Sequence, residues 1–139
     1  MQVNPYLHFH GDCEEALQFY ARVLGGTIGA LHRFAGSPME SQTPPDWRNK
    51  VMHASLRLGA FTLMGSDPPA PHFQAPQGFS VCLEADTEAE ADRVYAALAE
   101  GGTPTMPIQK TFWSQRFGML VDRFGIPWIV NCPSQEYPS

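Results

Sequence analysis

The feature that most constrains the fold is an internal repeat. Ala16-x-x-x-Tyr20 followed by Gly25-Gly26-Thr27 returns, at matching spacing, as Ala91-x-x-x-Tyr95 followed by Gly101-Gly102-Thr103. Self-similarity of this kind marks a supersecondary module, so the chain reads as two copies of one unit. Each copy opens on a helix-start signal, Asp12-x-x-Glu15 in the first and Thr87-x-x-Glu90 in the second. A short polar cap with an acidic residue three positions later satisfies the free amides of a first helical turn. Ala16, Leu17, Tyr20, Val23 and Leu24 then share one helical face, as do Ala91, Val94, Tyr95 and Leu98. Gly-Gly follows both runs and supplies the left-handed residue that closes a helix.

Around the helices lie β-prone stretches: 3–9, 28–34, 52–58 and 61–64 in the first copy, and 79–84, 106–112, 117–121 and 126–131 in the second. Gly59-Ala60 reads as a two-residue hairpin, and Asp122-Arg123-Phe124-Gly125 as a longer turn at the matching place. The expected class is therefore α+β, with a strand–helix–strand–strand–strand (βαβββ) module occurring twice in one domain spanning 1–139. Module one covers about 1–66, a Pro-rich linker 67–77, and module two about 78–133, with a short C-terminal tail. Residues 36–47 form a long loop with Pro38, Pro44 and Pro45, a length often used to cover a site.

Composition narrows the function. Hydrophobic residues at 43% suffice for a packed core, while 13 prolines and 12 glycines exclude a helical bundle. Charged residues are only 17% and the net charge is −5, with no basic cluster to track phosphates, so neither nucleic acid nor an anionic membrane surface is an expected partner. No apolar run approaches membrane-span length, and residues 1–11 lack the basic and apolar regions of a signal peptide. Cys13, Cys82 and Cys132 are odd in number and widely spread, which implies neither a disulfide framework nor a zinc knuckle. A cytoplasmic location is expected.

Two further segments carry a family resemblance. Asp12 through Phe19-Tyr20 to Leu24-Gly25, with Asp122-x-Phe-Gly125-x-x-Trp128 in the closing hairpin, resembles the vicinal oxygen chelate superfamily of glyoxalase and bleomycin-resistance proteins. The segment Thr111-Phe112-Trp113-Ser114-Gln115-Arg116-Phe117-Gly118 is similar to its PhnB-like branch, often labelled 3-demethylubiquinone-9 3-methyltransferase-like. The resemblance implies two βαβββ modules forming a curved mixed-sheet cup for a small molecule, and a homodimer. In metal-dependent members, His or Glu from the first and last strands of each module hold a divalent ion. The corresponding positions are Pro5, Leu63, Phe79 and Ile129, none of which has a lone pair for a metal. Moving one residue either way gives no better set, so no metal and no cofactor are expected.

Other chemistry reads weakly. His8 and His10 alternate on one strand face, and His53 shares a polar face with Ser55 and Arg57, which is ordinary for strand histidines. His32 and His72 show no partner spacing. Cys13 sits in a first helical turn but among Asp12, Glu14 and Glu15, which oppose a thiolate. Gly25-Gly26-Thr27-Ile28-Gly29 follows a helix and opens a strand, the reverse of a nucleotide-binding loop. Aromatic side chains on the cup strands are more informative. The expected ligand-binding residues are Phe9, His53, Phe79, Trp113, Arg116 and Asn131, with Arg116 pairing an anionic group of the ligand. The expected function is metal-free binding or sequestration of a small molecule. The alternative is an enzyme of the same superfamily, an isomerase, lyase or dioxygenase, with metal on unusual ligands such as His8 or His53, or with metal-independent acid–base chemistry.

Overall fold

The computed structural model describes residues 1–138. The first module contains β1 (Tyr6–His8), α1 (Cys13–Leu24), β2 (Thr27–Arg33), β3 (Val51–Leu58) and β4 (Phe61–Ser66). The second repeats the order with β5 (Val81–Glu84), α2 (Glu88–Ala99), β6 (Thr103–Gln109), β7 (Ser114–Val121) and β8 (Pro127–Pro133). Each module makes a four-stranded mixed sheet, β1-β4-β3-β2 and β5-β8-β7-β6, in which the first strand lies parallel beside the last and the other pairs are antiparallel. The expected α+β class with two βαβββ modules is the observed one. Tertiary contacts divide the chain into a unit Met1–Ala75 and a unit that begins at Pro76.

In the first module α1 buries Cys13, Ala16, Leu17, Phe19, Tyr20 and Val23. Register places Leu7, Gly65, Ala54, Leu56 and Leu63 on the sheet face that meets it. Gly65 is needed there, because a Cβ would stand 3.0 Å from the Phe9 ring and 3.2 Å from Cys13 Sγ. In the second module α2 buries Ala91, Val94, Tyr95 and Leu98 against a sheet face carrying Leu120, Trp128 and Val130. Gly118 opens space for the Tyr95 ring, whose hydroxyl donates to the backbone carbonyls of Met106 and Met119 at 2.9 and 3.1 Å. Each such Leu, Val or aromatic side chain contributes about 1.5–3 kcal/mol on burial.

Several local expectations are corrected. Thr87 caps α2 as read, its hydroxyl accepting from the Glu90 amide at 3.1 Å, but Asp12 makes no side-chain cap on α1. The acceptor there is Asp67, 1% exposed, whose Oδ1 takes the Gly11 and Cys13 amides and whose Oδ2 takes the Val51 amide. Asp67 follows β4 directly, because that strand runs on to Ser66 rather than stopping at Met64. Helix α1 ends on left-handed Gly25 (φ 79°), whereas α2 leaves through extended Glu100 before Gly101 turns left-handed (φ 74°). Phe79 lies outside β5, β6 stops at Gln109, and β7 begins three residues before Phe117. Its first residues carry a bulge, a register shift between Ser114 and Arg116.

Candidate ligand-binding faces

Each sheet has one face packed on its helix and one face that the helix leaves uncovered. In the first module the helix-free face is set by alternation: Tyr6 and His8 on β1, Thr62, Met64 and Ser66 on β4, His53, Ser55 and Arg57 on β3, and Thr27 and His32 on β2. Tyr6 Oη and His53 Nδ1 share a hydrogen bond of 3.0 Å. The Tyr6 and His53 rings are 5.7 Å apart at 28°, and His53 and His32, directly opposite across β3 and β2, are 6.5 Å apart at 15°. His8 meets the Tyr6 ring edge-on at 5.7 Å. Four ring side chains from three strands thus form one row. His53 shares a polar face with Ser55 and Arg57, as read from the sequence.

The second module's helix-free face is more apolar. Register places Cys82 and Glu84 of β5, Ile129 and Asn131 of β8, Phe117 and Met119 of β7, and Met106 of β6 on it. Asn131 is nearly buried, and Ser114 Oγ donates to its Oδ1 at 2.5 Å. Trp113 precedes β7 and packs edge-on against Phe117 at 5.4 Å and Phe112 at 4.8 Å. Beside them a groove of about 650 Å³ runs between Lys110–Gln115 and Ser134–Tyr137, with Ser114 in its lining.

Of the residues expected to bind ligand, the structure places His53 on the first helix-free face and Asn131 on the second, opposite Phe117, whose ring Trp113 meets. Phe9 is fully buried beside Gly65 on the helix side of its sheet. Phe79, 49% exposed, precedes β5. Arg116 projects the other way. Alternation with Phe117 turns Arg116, opposite Cys132, toward α2, and the bulge beside Gln115 lets Ser114 share the Asn131 face. There its guanidinium holds Glu88 at 2.9 Å and Asp92 at 3.1 Å. These partners are half exposed, so Arg116→Ala is expected to lower stability by no more than about 1 kcal/mol in urea denaturation. Tyr6, His32, Met119 and Ser114 were not read from the sequence. Pairing of His32 with His53 depends on a β2–β3 register that the long intervening loop conceals.

The positions corresponding to metal ligands do not converge on donors. Leu63 is buried opposite Leu56 against α1, and Ile129 reaches its helix-free face as a hydrocarbon. Among the described residues no group of three or more His, Cys, Asp or Glu side chains is placed to hold a metal. The donor set of this chain therefore does not fit the divalent ion of the metal-dependent superfamily members.

His10 does not continue the β1 alternation. The strand ends at His8, and the His10 ring lies 4.8 Å from Phe73 and 5.9 Å from Trp47. Cys13 is a fully buried core residue, and burial, then the charges of Asp67, Asp12 and Glu14, push its thiol far up from its ordinary range. Cys13 and Cys132 are buried and Cys82 is exposed, so a disulfide-exchange dye is expected to titrate one thiol rapidly in the native protein and all three after unfolding.

The profile of the 3-demethylubiquinone-9 3-methyltransferase family matches residues 1–131. The chain belongs to that family. Protein PA1353 from Pseudomonas aeruginosa has a similar crystal structure, with 48% identity, TM-score 0.88, and coverage of 96% of this chain and 98% of that one. A PhnB protein from Bacillus cereus, described as a putative 3-demethylubiquinone-9 3-methyltransferase, is 27% identical with TM-score 0.81, covering 95% and 99%. The fold extends to a glyoxylase/bleomycin resistance protein/dioxygenase domain from Frankia sp. EAN1pec, at 14% identity, TM-score 0.66, and coverage of 99% and 94%. The vicinal oxygen chelate fold is thus established for this member of the 3-demethylubiquinone-9 3-methyltransferase family. Its Gly25-Gly26 pair closes α1 and opens β2, the reverse of the order in which a glycine loop cradles a nucleotide-like cofactor. No helix among the described residues is long and apolar enough to cross a membrane.

Proposed function

We propose that the protein binds, and in doing so sequesters, a small organic molecule on its helix-free sheet faces, without a resident metal. The supporting observation is the character of those faces. A sheet face meant only for water carries charged and hydroxyl side chains. Here Tyr6, His53 and His32 stand in a row on one face, and on the other a nearly buried Asn131 lies between Phe117 and Glu84, with Met119 and Ile129 beside them. Apolar walls with a few fixed polar groups are how a small-molecule site is built. The donor chemistry described above supports the metal-free part of the reading.

The protein acts in this reading as a cytoplasmic homodimer, its cysteines unpaired and its sheet edges covered by a second copy. Light scattering at micromolar concentration then gives twice the chain mass, and the chain mass alone overturns the dimer. For the main proposal, untagged protein is screened by thermal shift against a metabolite collection and, separately, against divalent ions. Organic compounds are expected to raise the melting temperature and divalent ions to leave it unchanged. Stoichiometric metal in the purified protein, with stabilisation by that ion alone, overturns the reading.

A further inference from the structure

We propose that the second module recognises an uncharged group of the amide type, whose carbonyl accepts from Asn131 Nδ2 and whose N–H donates to Glu84, and that Ser114 is the residue that sets this preference. The proposal rests on the small-molecule reading above and names its ligand class.

It starts from an unmet donor. Asn131 is only 8% exposed, and Ser114 Oγ lies 2.5 Å from its Oδ1. That separation suits an O–H···O bond and is shorter than the roughly 2.7–3.2 Å of an N–H···O bond. The hydroxyl therefore meets the amide oxygen, and the NH2 group points away from it. Among the described residues no acceptor takes those two hydrogens. The nitrogen is not sealed either, since no fully buried side-chain nitrogen or oxygen among them lacks a partner. It opens onto the helix-free face as a donor that only water or a ligand satisfies.

The segment Thr111–Gly118, singled out in the sequence without a role, builds this arrangement. Thr111 and Ser114 close a turn in which the Ser114 amide donates to Thr111 Oγ1 and the Thr111 amide to the Ser114 carbonyl, both at 3.0 Å. The bulge beside Gln115 then brings Ser114 round to Asn131. A hydroxyl held at both ends of its backbone is a fixed donor, and it holds the amide in one of its two orientations.

Charge supplies the second half of the argument. Glu84 is the register partner of Asn131 on β5, and Phe117 is its partner on β7. Neighbouring strands lie about 4.8 Å apart, so the amide and the carboxylate stand side by side. Register places no Lys, Arg or His on this face. Arg116, the expected partner of an anionic ligand, is turned away and held by Glu88 and Asp92. A carboxylate without a cation beside it repels an anion and accepts from an N–H. Phe117, with Trp113 edge-on at 5.4 Å, provides the apolar wall.

One donor beside one acceptor has one planar complement, a carbonyl beside an N–H, as in an amide, a lactam or a urea. A carboxylate ligand meets Asn131 but is repelled by Glu84. A ketone meets Asn131 alone, and an ammonium group meets Glu84 alone.

The test adds 2-naphthamide, 2-naphthoate and 2-acetylnaphthalene to the full chain at neutral pH, with NMR of the Asn131 side-chain amide and of the Glu84 and Phe117 backbone amides. The three probes share one ring system and differ in the group presented. Naphthamide is expected to shift all three signals and to bind at least about tenfold more tightly than naphthoate, with acetylnaphthalene between them. Asn131→Ala should weaken naphthamide by about tenfold, and Glu84→Gln should remove most of the discrimination against naphthoate. Ser114→Ala releases the amide to turn over, so the two carbonyl probes lose affinity relative to naphthoate, and Ser114→Thr, which keeps the hydroxyl, restores it. A purely structural Ser114 would alter all three probes alike, which overturns its role in selection. If Ser114→Ala loosens β7 and β8 in hydrogen exchange, the ranking of the three probes on wild type decides the proposal by itself. Equal wild-type affinity for naphthamide and naphthoate, or shifts confined to the first module, overturns the amide site and leaves the small-molecule reading standing. If no probe binds, the amide site falls, and if the metabolite screen is also blank the broader reading falls with it.

Discussion

Replacing Asp67 with alanine is expected to lower the stability of the first module by about 4 kcal/mol, since hydrogen bonds to a charged acceptor contribute about 1.5–3 kcal/mol each and are not fully additive. The carboxylate is 1% exposed and accepts from three amides in two separate chain segments, Gly11 and Cys13 at 2.9 and 3.0 Å and Val51 at 3.0 Å. Its own backbone amide donates to the Val51 carbonyl, and its carbonyl accepts from the Trp47 indole at 2.9 Å. One residue thus joins the entrance of α1, the start of β3 and the long loop. Alanine leaves the Cys13 and Val51 amides buried, and the Gly11 amide half-buried, without this acceptor. Asp67→Asn retains one acceptor oxygen but points an NH2 group at a donor, so most of the loss remains. Because the chain forms two compact units, a single melting temperature is a poor readout. Hydrogen exchange at Gly11, Cys13 and Val51, compared with amides of β7 and β8, is the appropriate measurement. A first-module loss below about 1 kcal/mol shows that the chain reorganises around the missing carboxylate.

This residue also shows where reading the sequence stops. The helices were legible because their periodicity is local, and the modules because one pattern recurs. The cap of α1 was assigned to Asp12, the nearest polar residue with suitable spacing, whereas the structure uses Asp67, from the far end of the module. Capping preferences describe neighbours in sequence and carry no information on an acceptor delivered by a parallel strand pair. The candidate site failed and succeeded for the same kind of reason. The alternation through His53, Ser55 and Arg57 was visible and placed them together on a polar face. His32 needed a cross-strand register set by two irregularities in the β2–β3 ladder. Arg116 was read as lying before a strand that began at Phe117; the strand includes it, and alternation with Phe117 turns it to the helix side, while the extra residue at Gln115 brings Ser114 round to the Asn131 face. The absence of acidic residues on one sheet face is invisible in a composition that is acidic overall.

The motif Asp122-x-Phe-Gly125-x-x-Trp128, which carried much of the family resemblance, is accounted for by turn construction, and the second large effect follows from it. Asp122 is 3% exposed, and its Oδ1 accepts from the Phe124 and Ile126 amides at 2.9 and 3.0 Å while its Oδ2 accepts from the Trp128 indole at 2.8 Å. Gly125 takes φ 87°, a left-handed conformation that favours glycine, and donates to the Asp122 carbonyl at 3.0 Å. The carboxylate therefore shapes the β7–β8 turn and seats Trp128, 2% exposed, on the face packed against α2. Asp122→Ala is expected to lower second-module stability by about 3–5 kcal/mol, the range for breaking a buried hydrogen-bond network around a charge. Hydrogen exchange in β7 and β8 should rise together, because the turn and the indole lose the same acceptor. Unchanged exchange in β7 and β8 of Asp122→Ala overturns the turn-building role.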